Sequence, residues 1–375
     1  MARTVIRKQA EKAVFLSRNH SPIGLDIGRN SLKLVQFRLR SGSRSLLAAA
    51  RLNTSFPNNG GAEAERDAFV RNLKKLLAAR RFGDRRAVVT LPPGDIDIRP
   101  LTLPLGDLDV ARKVRQEAAS YLACGADNAV IDHVVLGEAK SAGERRLEVL
   151  ATAVEKTRIV SSLELLSRAG LDTQAVDIPP LALCRTLHAT LAETDKAVAA
   201  VDIGSLTTQA VILYGGELRM ARPISLGGQT LTDAIRSALE ISADEAEVLK
   251  CQHGTGLSSG EPDASTGLEP APEESQKITH IIHDILRSRL HVLAAELHKL
   301  LRYFSAQNQG RSVEKVVLFG GGAPLKHLDR LLTERLGTPV EVGAPLTHLA
   351  GRPVELKDGC EPAYAVAAGL ALRGA

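Results

Sequence analysis

The chain contains no tryptophan, and aromatic residues make up only 3% of its 375 positions. That scarcity argues against carbohydrate-stacking surfaces and base-stacking platforms, both of which depend on exposed aromatic faces. Its four cysteines, Cys124, Cys184, Cys251 and Cys360, are scattered with no CxxC spacing. They read as reduced structural thiols, which disfavours a zinc site. No apolar run approaches the roughly 18 residues of a membrane span. The basic N-terminus lacks a signal peptide's continuous apolar segment and small-residue cleavage site, so a cytoplasmic location is expected. Acidic and basic residues nearly balance outside residues 1–20, where Arg3, Arg7, Lys8, Lys12 and Arg18 face only Glu11 and supply most of the net +5. The body is therefore near neutral, and its charge does not indicate nucleic-acid binding.

What the sequence does have is a repeated turn. Residues 23–35 and 199–211 each run from an apolar stretch through Asp, Ile and Gly into a short polar cluster and a second apolar stretch. This is the pattern of a β-hairpin with a tight, Gly-bearing turn. Glycine lets a backbone N–H approach a phosphate, and consecutive turn amides form an anion nest. Asp26 and Asp202, just before the turns, are placed to hold a hydrated Mg²⁺, which keeps most of its waters. One Asp-x-Gly is a common turn former. Two, about 176 residues apart, imply a duplicated domain facing itself across a cleft. A third stretch, residues 313–328, reads as a buried strand, then Gly320-Gly321-Gly322-Ala323, then a helix. Such glycines serve either a close strand–helix crossing or a backbone pressed against a nucleoside at a helix N-terminus.

The length suits two or three domains. Strands are expected at 32–39, 48–52 and 86–91, with a helix over 64–81 and a loop at Asn58-Asn59-Gly60-Gly61. Residues 97–178 then follow a β-α-β-β-α-β order, a ferredoxin-like signature, with Ser141-Ala142-Gly143 as an internal turn. A helix over 181–191 leads to a hairpin turning at Gly215-Gly216. Gly227-Gly228 opens a helix over 230–239. Ser242 and Glu245 form a capping box that puts Glu247 and Lys250 on one face, where a surface ion pair is the plain reading. Residues 254–276 hold acids but no base among Gly, Ser and Pro, and are expected to be a disordered loop. Residues 278–305 carry a helical apolar stripe, Ile281 included, expected to be core. His280, His283, His291 and His298 on it lack clustered acids and read as solvent-facing. Helices are expected over 328–336 and 363–372, with a strand at 339–342 between them. In residues 1–22 a solvated tail is the stronger reading beside weak attachment to anionic lipid.

Two phosphate-type turns followed by a Gly-Gly-Gly-Ala loop resemble the actin/Hsp70/sugar-kinase ATPase superfamily. The finer resemblance is to its PilM and FtsA branch, and within that branch to the PilM family of type IV pilus assembly proteins. It runs from about residue 22 to 374, with the motifs in the family's order. The resemblance implies an actin-like, ribonuclease H-like duplicated α/β fold of two lobes with an inserted FtsA/PilM-type α+β subdomain. The expected layout is a tail at 1–22, first lobe at 23–93, inserted subdomain at 94–170, and the rest of that lobe with a connecting helix at 171–197. The second lobe follows at 198–229, a further subdomain at 230–311, the lobe's continuation at 312–350 and a connecting helix at 351–375. The last helix is expected to cross the one over 181–191 and form the hinge between lobes.

The resemblance also implies Mg·ATP as ligand. Phosphates would be met by Gly28, Arg29, Asn30, Ser31 and Lys33, by Gly204, Ser205, Thr207 and Thr208, and by Gly227 and Gly228. The nucleoside would be met by Glu247, Lys250, Gly320, Gly321, Gly322 and Ala323, and the Mg²⁺ by Asp26 and Asp202. Asp202 is the expected catalytic residue, acting through the metal; no dedicated base is evident, and Arg29 replaces the small hydroxyl residue more usual in the family, so any ATPase turnover is expected to be slow. The implied partner is a PilN-like bitopic inner-membrane protein, whose N-terminal tail would be held between the first lobe and the inserted subdomain, keeping the protein peripheral to that membrane. Pilus motor components and self-association into a homo-oligomer stay open, as does a type II secretion or competence system. An FtsA-like division protein is the alternative. It would anchor through a C-terminal amphipathic helix, whereas this chain ends right after the connecting helix. A small-molecule kinase is less well supported, because the inserted subdomain argues against it.

Overall fold

The computed structural model describes residues 19–40, 43–57, 61–105, 109–141, 144–191, 196–255 and 273–374. The basic tail over 1–18, the Asn58–Gly60 stretch, the Ala142–Gly143 turn and residues 256–272 of the expected loop lie outside them. Residues 20–22, expected in the tail, are instead built in. His20 bridges Arg38, and the fully buried Ser21 donates its amide to the Phe37 carbonyl at 2.9 Å.

Two sheets of one design make the lobes. In the first, β1 (Ile23–Ile27), β2 (Leu32–Arg40) and β3 (Ser43–Leu52) form an antiparallel meander, and β4 (Arg86–Val89) and β8 (Asp172–Val176) add in parallel, in the order β3-β2-β1-β4-β8. The second repeats this with β9 (Val198–Ile203), β10 (Thr208–Tyr214), β11 (Glu217–Ile224), β12 (Lys315–Phe319) and β13 (Val340–Val342), ordered β11-β10-β9-β12-β13. The β10–β11 hairpin turns at Gly215 and Gly216, with φ of 64° and 71°, a two-residue loop that suits glycine at both positions. Parallel neighbours need helical crossovers. Helix α1 (Glu63–Ala79) supplies one, burying Phe69, Val70, Leu73 and Leu77 against β1 and β4.

The inserted subdomain departs from the ferredoxin-like expectation. Strands β5 (Ile96–Pro104), β6 (Ala129–Ser141) and β7 (Glu144–Glu155) form a separate antiparallel sheet, β5-β7-β6, covered by α2 (Val110–Ala119). The second helix and last strand of the expected motif are not part of it. Helix α3 (Lys156–Arg168) buries Leu165 and Leu166 in the first lobe's core, and β8 pairs with β4. Sequence order alone cannot say which sheet a strand joins, and here a β-α-β-β unit followed by a return to the parent sheet mimics βαββαβ. The subdomain's own core is small, centred on Leu103, Val114, Val149 and Ala151. Its other face buries Leu136 and Leu150 with Leu218 and Ala221 of the second lobe.

Helices α4 (Pro179–Thr190) and α10 (Ala365–Ala371) cross between the lobes. Every residue of α10 is buried, and a Cβ at Gly369 would overlap the Ala182 carbonyl, so the crossing requires glycine there. Asp177, 2% exposed, clasps this region by accepting from Arg185 and Arg373. In the second lobe, α5 (Gly228–Leu239) and α6 (Ala243–His253) precede α7 (Glu273–Gln307). Residues 273–276 thus begin that helix rather than end the expected loop. Leu286, Leu290, Leu293, Leu297 and Phe304 form its buried stripe, whereas Ile281 is 48% exposed and lies off it. His280, His291 and His298 are exposed and His283 is half-buried. Helix α8 (Leu328–Leu336) ends at Gly337 with φ 64°. Helix α9 (Pro345–Ala350) had no counterpart in the sequence reading; it covers β3 and buries Leu346 and Leu349.

Candidate functional site

The two sheets present their turns to one cleft. In the first lobe Asp26 pairs in register with Lys33, and the Gly28 amide closes the turn on the Ser31 carbonyl at 3.1 Å. In the second lobe Asp202 pairs with Gln209, and the Gly204 amide closes on the Thr207 carbonyl at 3.0 Å. The turns meet across the gap, where the Asn30 amide donates to the Ser205 hydroxyl at 3.2 Å. Around them opens a cavity of about 1040 Å³. Asp26, Gly28, Arg29, Asn30, Ser31, Lys33, Asp202, Gly204, Ser205, Thr207, Gly228, Glu247, Lys250, Gly320, Gly321 and Gly322 all line it.

Three of the expected residues do not. Thr208 is fully buried and donates its hydroxyl to the Leu226 carbonyl at 2.7 Å, which makes it a brace between β10 and the segment after β11. Gly227 lies against the second turn; a Cβ there would come within 2.5 Å of the Ser205 carbonyl oxygen. Ala323 is wholly enclosed in the second lobe's core. Several glycine amides expected to face a ligand are also committed within the protein. Gly228 donates to the Gly204 carbonyl at 2.9 Å, Gly320 to Pro362 at 3.0 Å and Gly322 to Ile203 at 2.9 Å. The glycine loop is not a helix N-terminus either, since eight residues of turn precede α8. These glycines serve close backbone packing, because a Cβ at Gly320 or Gly322 would collide with Ile203. Gly321 differs: it is exposed to the cleft, and a Cβ built there meets nothing.

The charges are unevenly shared. Lys33 donates to Asp26 at 3.3 Å, and the Thr90 hydroxyl, which itself accepts the Ile27 amide, donates to the same carboxylate at 3.3 Å. Among the described residues no side chain donates to Asp202 in this way. Burial, reinforced by the Asp26 charge and only partly offset by Lys33, pushes its carboxyl up to about 7. On the other wall Lys250, 8% exposed, donates to the Glu247 carboxylate at 2.6 Å, the Thr232 hydroxyl at 2.9 Å and the Gly228 carbonyl at 3.2 Å. Burial raises the Glu247 carboxyl, but bonds from Lys250 and Thr232 outweigh it and hold it below the ordinary range.

Sequence reading missed Thr90, Gln209 and Arg51. Arg51 follows Lys33 along the same row of paired residues, lines the cavity, and has a buried Nε without a partner. Gln209 was legible, because it occupies in the second turn the place Lys33 holds in the first. The donor set fits a hydrated divalent cation. Two facing carboxylates are what Mg²⁺ takes from protein when phosphate and water fill the rest, and Asp202 is a half-buried acid on the cavity wall with no ion pair among the described residues. Among the described residues no cluster of three or more His, Cys, Asp or Glu could hold a metal by itself, and none of the described helices is long and apolar enough to cross a membrane.

Comparison with known proteins adds an independent line. The profile of the family described as type IV pilus assembly protein PilM matches residues 24–259, and that of cell division protein FtsA matches residues 199–369. Among curated proteins, FtsA of Agrobacterium fabrum is 29% identical over 235 residues, which are 60% of this chain and 50% of that protein. FtsA of Bacillus subtilis is 23% identical over 365 residues, 88% of this chain and 80% of that protein. The match thus spans half the length of the Agrobacterium relative. Among solved structures, a PilM-PilN type IV pilus biogenesis complex is similar with a TM-score of 0.73 and 28% identity, covering 95% of this chain and 99% of that one. Ethanolamine utilization protein EutJ from Carboxydothermus hydrogenoformans shares the fold at a TM-score of 0.53 and 17% identity.

Proposed function

The chain belongs to the type IV pilus assembly protein PilM family, with the actin-like two-lobed ATPase fold, and from that premise we propose that it is a nucleotide-responsive adaptor of a pilus assembly machine. In this reading Mg·ATP occupies the cleft. Asp26 and Asp202 hold the hydrated metal, which when bound neutralises phosphate charge. Lys33 leaves Asp26 for a phosphate oxygen, and Ser31, Ser205 and Thr207 offer hydroxyls to the others. Glu247 and Lys250 face the ribose, and the adenine lies over Gly321. The observation that carries this is the meeting of two equivalent acid-bearing turns across one cavity, with Asn30 bonded to Ser205.

The same cavity continues between the first lobe and the inserted subdomain, past Asp95, Tyr121, Cys124 and Arg158. There Arg99 stacks on Tyr121 at 3.7 Å, and Arg158 pairs with Asp95 at 2.6 Å. We place the N-terminal tail of a PilN-like inner-membrane partner in this groove, which would keep the protein at the membrane's cytoplasmic side. The solved complex of related proteins supports this, as does the PilM match running through the inserted subdomain.

Calorimetry tests both halves. Mg·ATP should bind saturably to the full chain, and Asp26→Ala or Lys33→Gln should weaken it tenfold or more, the loss expected for one charge-assisted contact of about 1.5–3 kcal/mol. A PilN-like N-terminal peptide should still bind both variants. Peptide binding without nucleotide binding would reduce the cleft to a vestige, and loss of both would refute the adaptor reading.

A further inference from the structure

Away from the cleft, the first lobe carries a group of cations that form no ion pair among the described residues. On α1, Arg71, Lys74 and Lys75 are exposed at helical spacing on one face, and among the described residues none forms an ion pair. The chain leaving α1 adds Arg80 and Arg81 and then reaches Gly83, whose amide donates to Gln36 on β2 at 2.7 Å. Two residues further along β2 is Arg38, bridged to His20 and followed by the exposed Arg40. The end of α1 and the β2–β3 end of the sheet thus form one basic surface, opposite to the end that bears the nucleotide turn. The nearby acids do not neutralise it. Asp84 is held by Arg86 at 2.8 Å, and at the start of α1 Glu63 and Asp67 are engaged by Arg66 and Arg168. Glu65 is exposed but lies six positions before Arg71, off the face that carries it. Asp172, bonded by the neutral Gln174 amide, keeps its charge, a single acid beside the row of cations. An ordinary solvated face intersperses both signs; this one does not.

We propose that this surface docks the protein onto an anionic lipid bilayer. Two observations favour a membrane over other polyanions. The cations spread over a helix face and a sheet end instead of lining a groove. Among the described residues the surface offers no exposed aromatic on which a base could stack. The chain enters it at Asn19, directly after a segment that carries Arg3, Arg7, Lys8 and Lys12, so the sequence adds further basic charge next to the folded face. Attraction to an anionic leaflet changes partitioning by about fivefold per Lys or Arg held near the surface, so the folded face alone supplies a large bias. It would present the lobe with a fixed orientation to the bilayer, independent of any protein partner.

Vesicle flotation of the full chain tests this, using phosphatidylcholine alone and phosphatidylcholine with phosphatidylglycerol, at low and physiological salt. Binding confined to the anionic vesicles and weakened by salt is expected. Arg71→Glu/Lys74→Glu/Lys75→Glu should lower it at least tenfold with an unchanged melting temperature, since all three side chains are exposed. A chain lacking residues 1–18 should retain salt-sensitive binding. Equal binding to neutral vesicles, no binding, or binding that vanishes with residues 1–18 while the triple variant behaves as wild type would overturn the proposal. So would tighter binding to a duplex DNA competitor than to the vesicles.

Discussion

The two lobes are the same sheet built twice, yet they bring opposite things to the cleft. Strand registers correspond pair for pair. Gly24 faces Val35 where Ala200 faces Val211, Asp26 faces Lys33 where Asp202 faces Gln209, and both turns close with the same Gly amide bond. Beside Asp26 the first lobe supplies a lysine and a threonine hydroxyl. Beside Asp202 the second supplies an uncharged glutamine and Gly320, where a Cβ would come within 2.6 Å of the carboxylate. One acid is therefore neutralised inside the protein, while the other stays in need of a cation. Duplication fixes the positions; divergence of the neighbours decides which half is satisfied and which is open to a ligand.

The comparison breaks most severely at Gly24. A Cβ there would overlap the Ala367 carbonyl of α10, whereas the matching Ala200 already carries one. Gly24→Ala should push the interlobe helix off β1 and destabilise the chain by about 3 kcal/mol or more, the scale of overpacking in a tight core. Ala200→Gly should cost about 1 kcal/mol. Denaturant unfolding of both variants measures the asymmetry, and equal losses would mean that α10 yields where the packing says it cannot.

Charge gives a smaller and pH-dependent effect. The carboxyl of Asp202 lies near 7 in the folded chain against an ordinary 3.8. The folded state therefore binds a proton more tightly than the unfolded state, so this group's contribution weakens as pH rises from about 4 through 7. Gln209→Lys gives the second lobe the first lobe's cation, in a register where Lys33 already reaches Asp26. It should lower that carboxyl's titration and flatten the decline. Melting temperatures at pH 5.5 and 8.5 should converge by roughly 2–4 °C relative to wild type, the shift expected for about 1 kcal/mol in a domain of 150–250 residues. Asp202→Asn, which removes the titration altogether, should do the same. An unchanged pH slope in both variants would show that Asp202 is not strained by its surroundings.

Much of this was legible in the sequence because the signals were local. Apolar runs ending in Asp-Ile-Gly marked both turns, the Gly215-Gly216 pair marked a hairpin, and the Ser242–Glu245 box marked a helix start; each depends on residues within four positions. The family and the actin-like fold were readable from the order of such motifs. What failed was set by distant contacts. The strand order reads β8 as closing a ferredoxin-like unit, although the layout implied by the resemblance already set 171–197 in the first lobe, whose sheet β8 joins; α9 is too short to show a period. The site divided in the same way. The lining residues of the turns were found, but Thr208 turns into the body, and Arg51 and Thr90 reach the cleft only through pairing across the sheet. Glycines were the least decipherable, since a sequence cannot distinguish one that must admit a carbonyl from one that leaves room for a ligand.

Gly321 makes that last distinction measurable, with the smallest expected effect on the fold. Its neighbours Gly320 and Gly322 are fixed by contact with Ile203, and Gly320 also by a φ of 87°. Gly321 has neither constraint, so in the free protein an alanine there is accommodated. Gly321→Ala should melt within about 1–2 °C of wild type, as unstrained surface substitutions do. If the cleft holds a nucleoside against this backbone, the added methyl must displace it, and Mg·ATP affinity should fall severalfold while inorganic triphosphate, which does not reach the loop, binds as before. Gly320→Ala should instead lower the melting temperature by several degrees. Should Gly321→Ala bind ATP as tightly as wild type, the nucleoside lies elsewhere in the cavity and the open position is packing left unfilled. Should it destabilise the chain as Gly320→Ala does, the loop's three glycines are one structural unit, and the second lobe's contribution to the site shrinks to Asp202 and its turn.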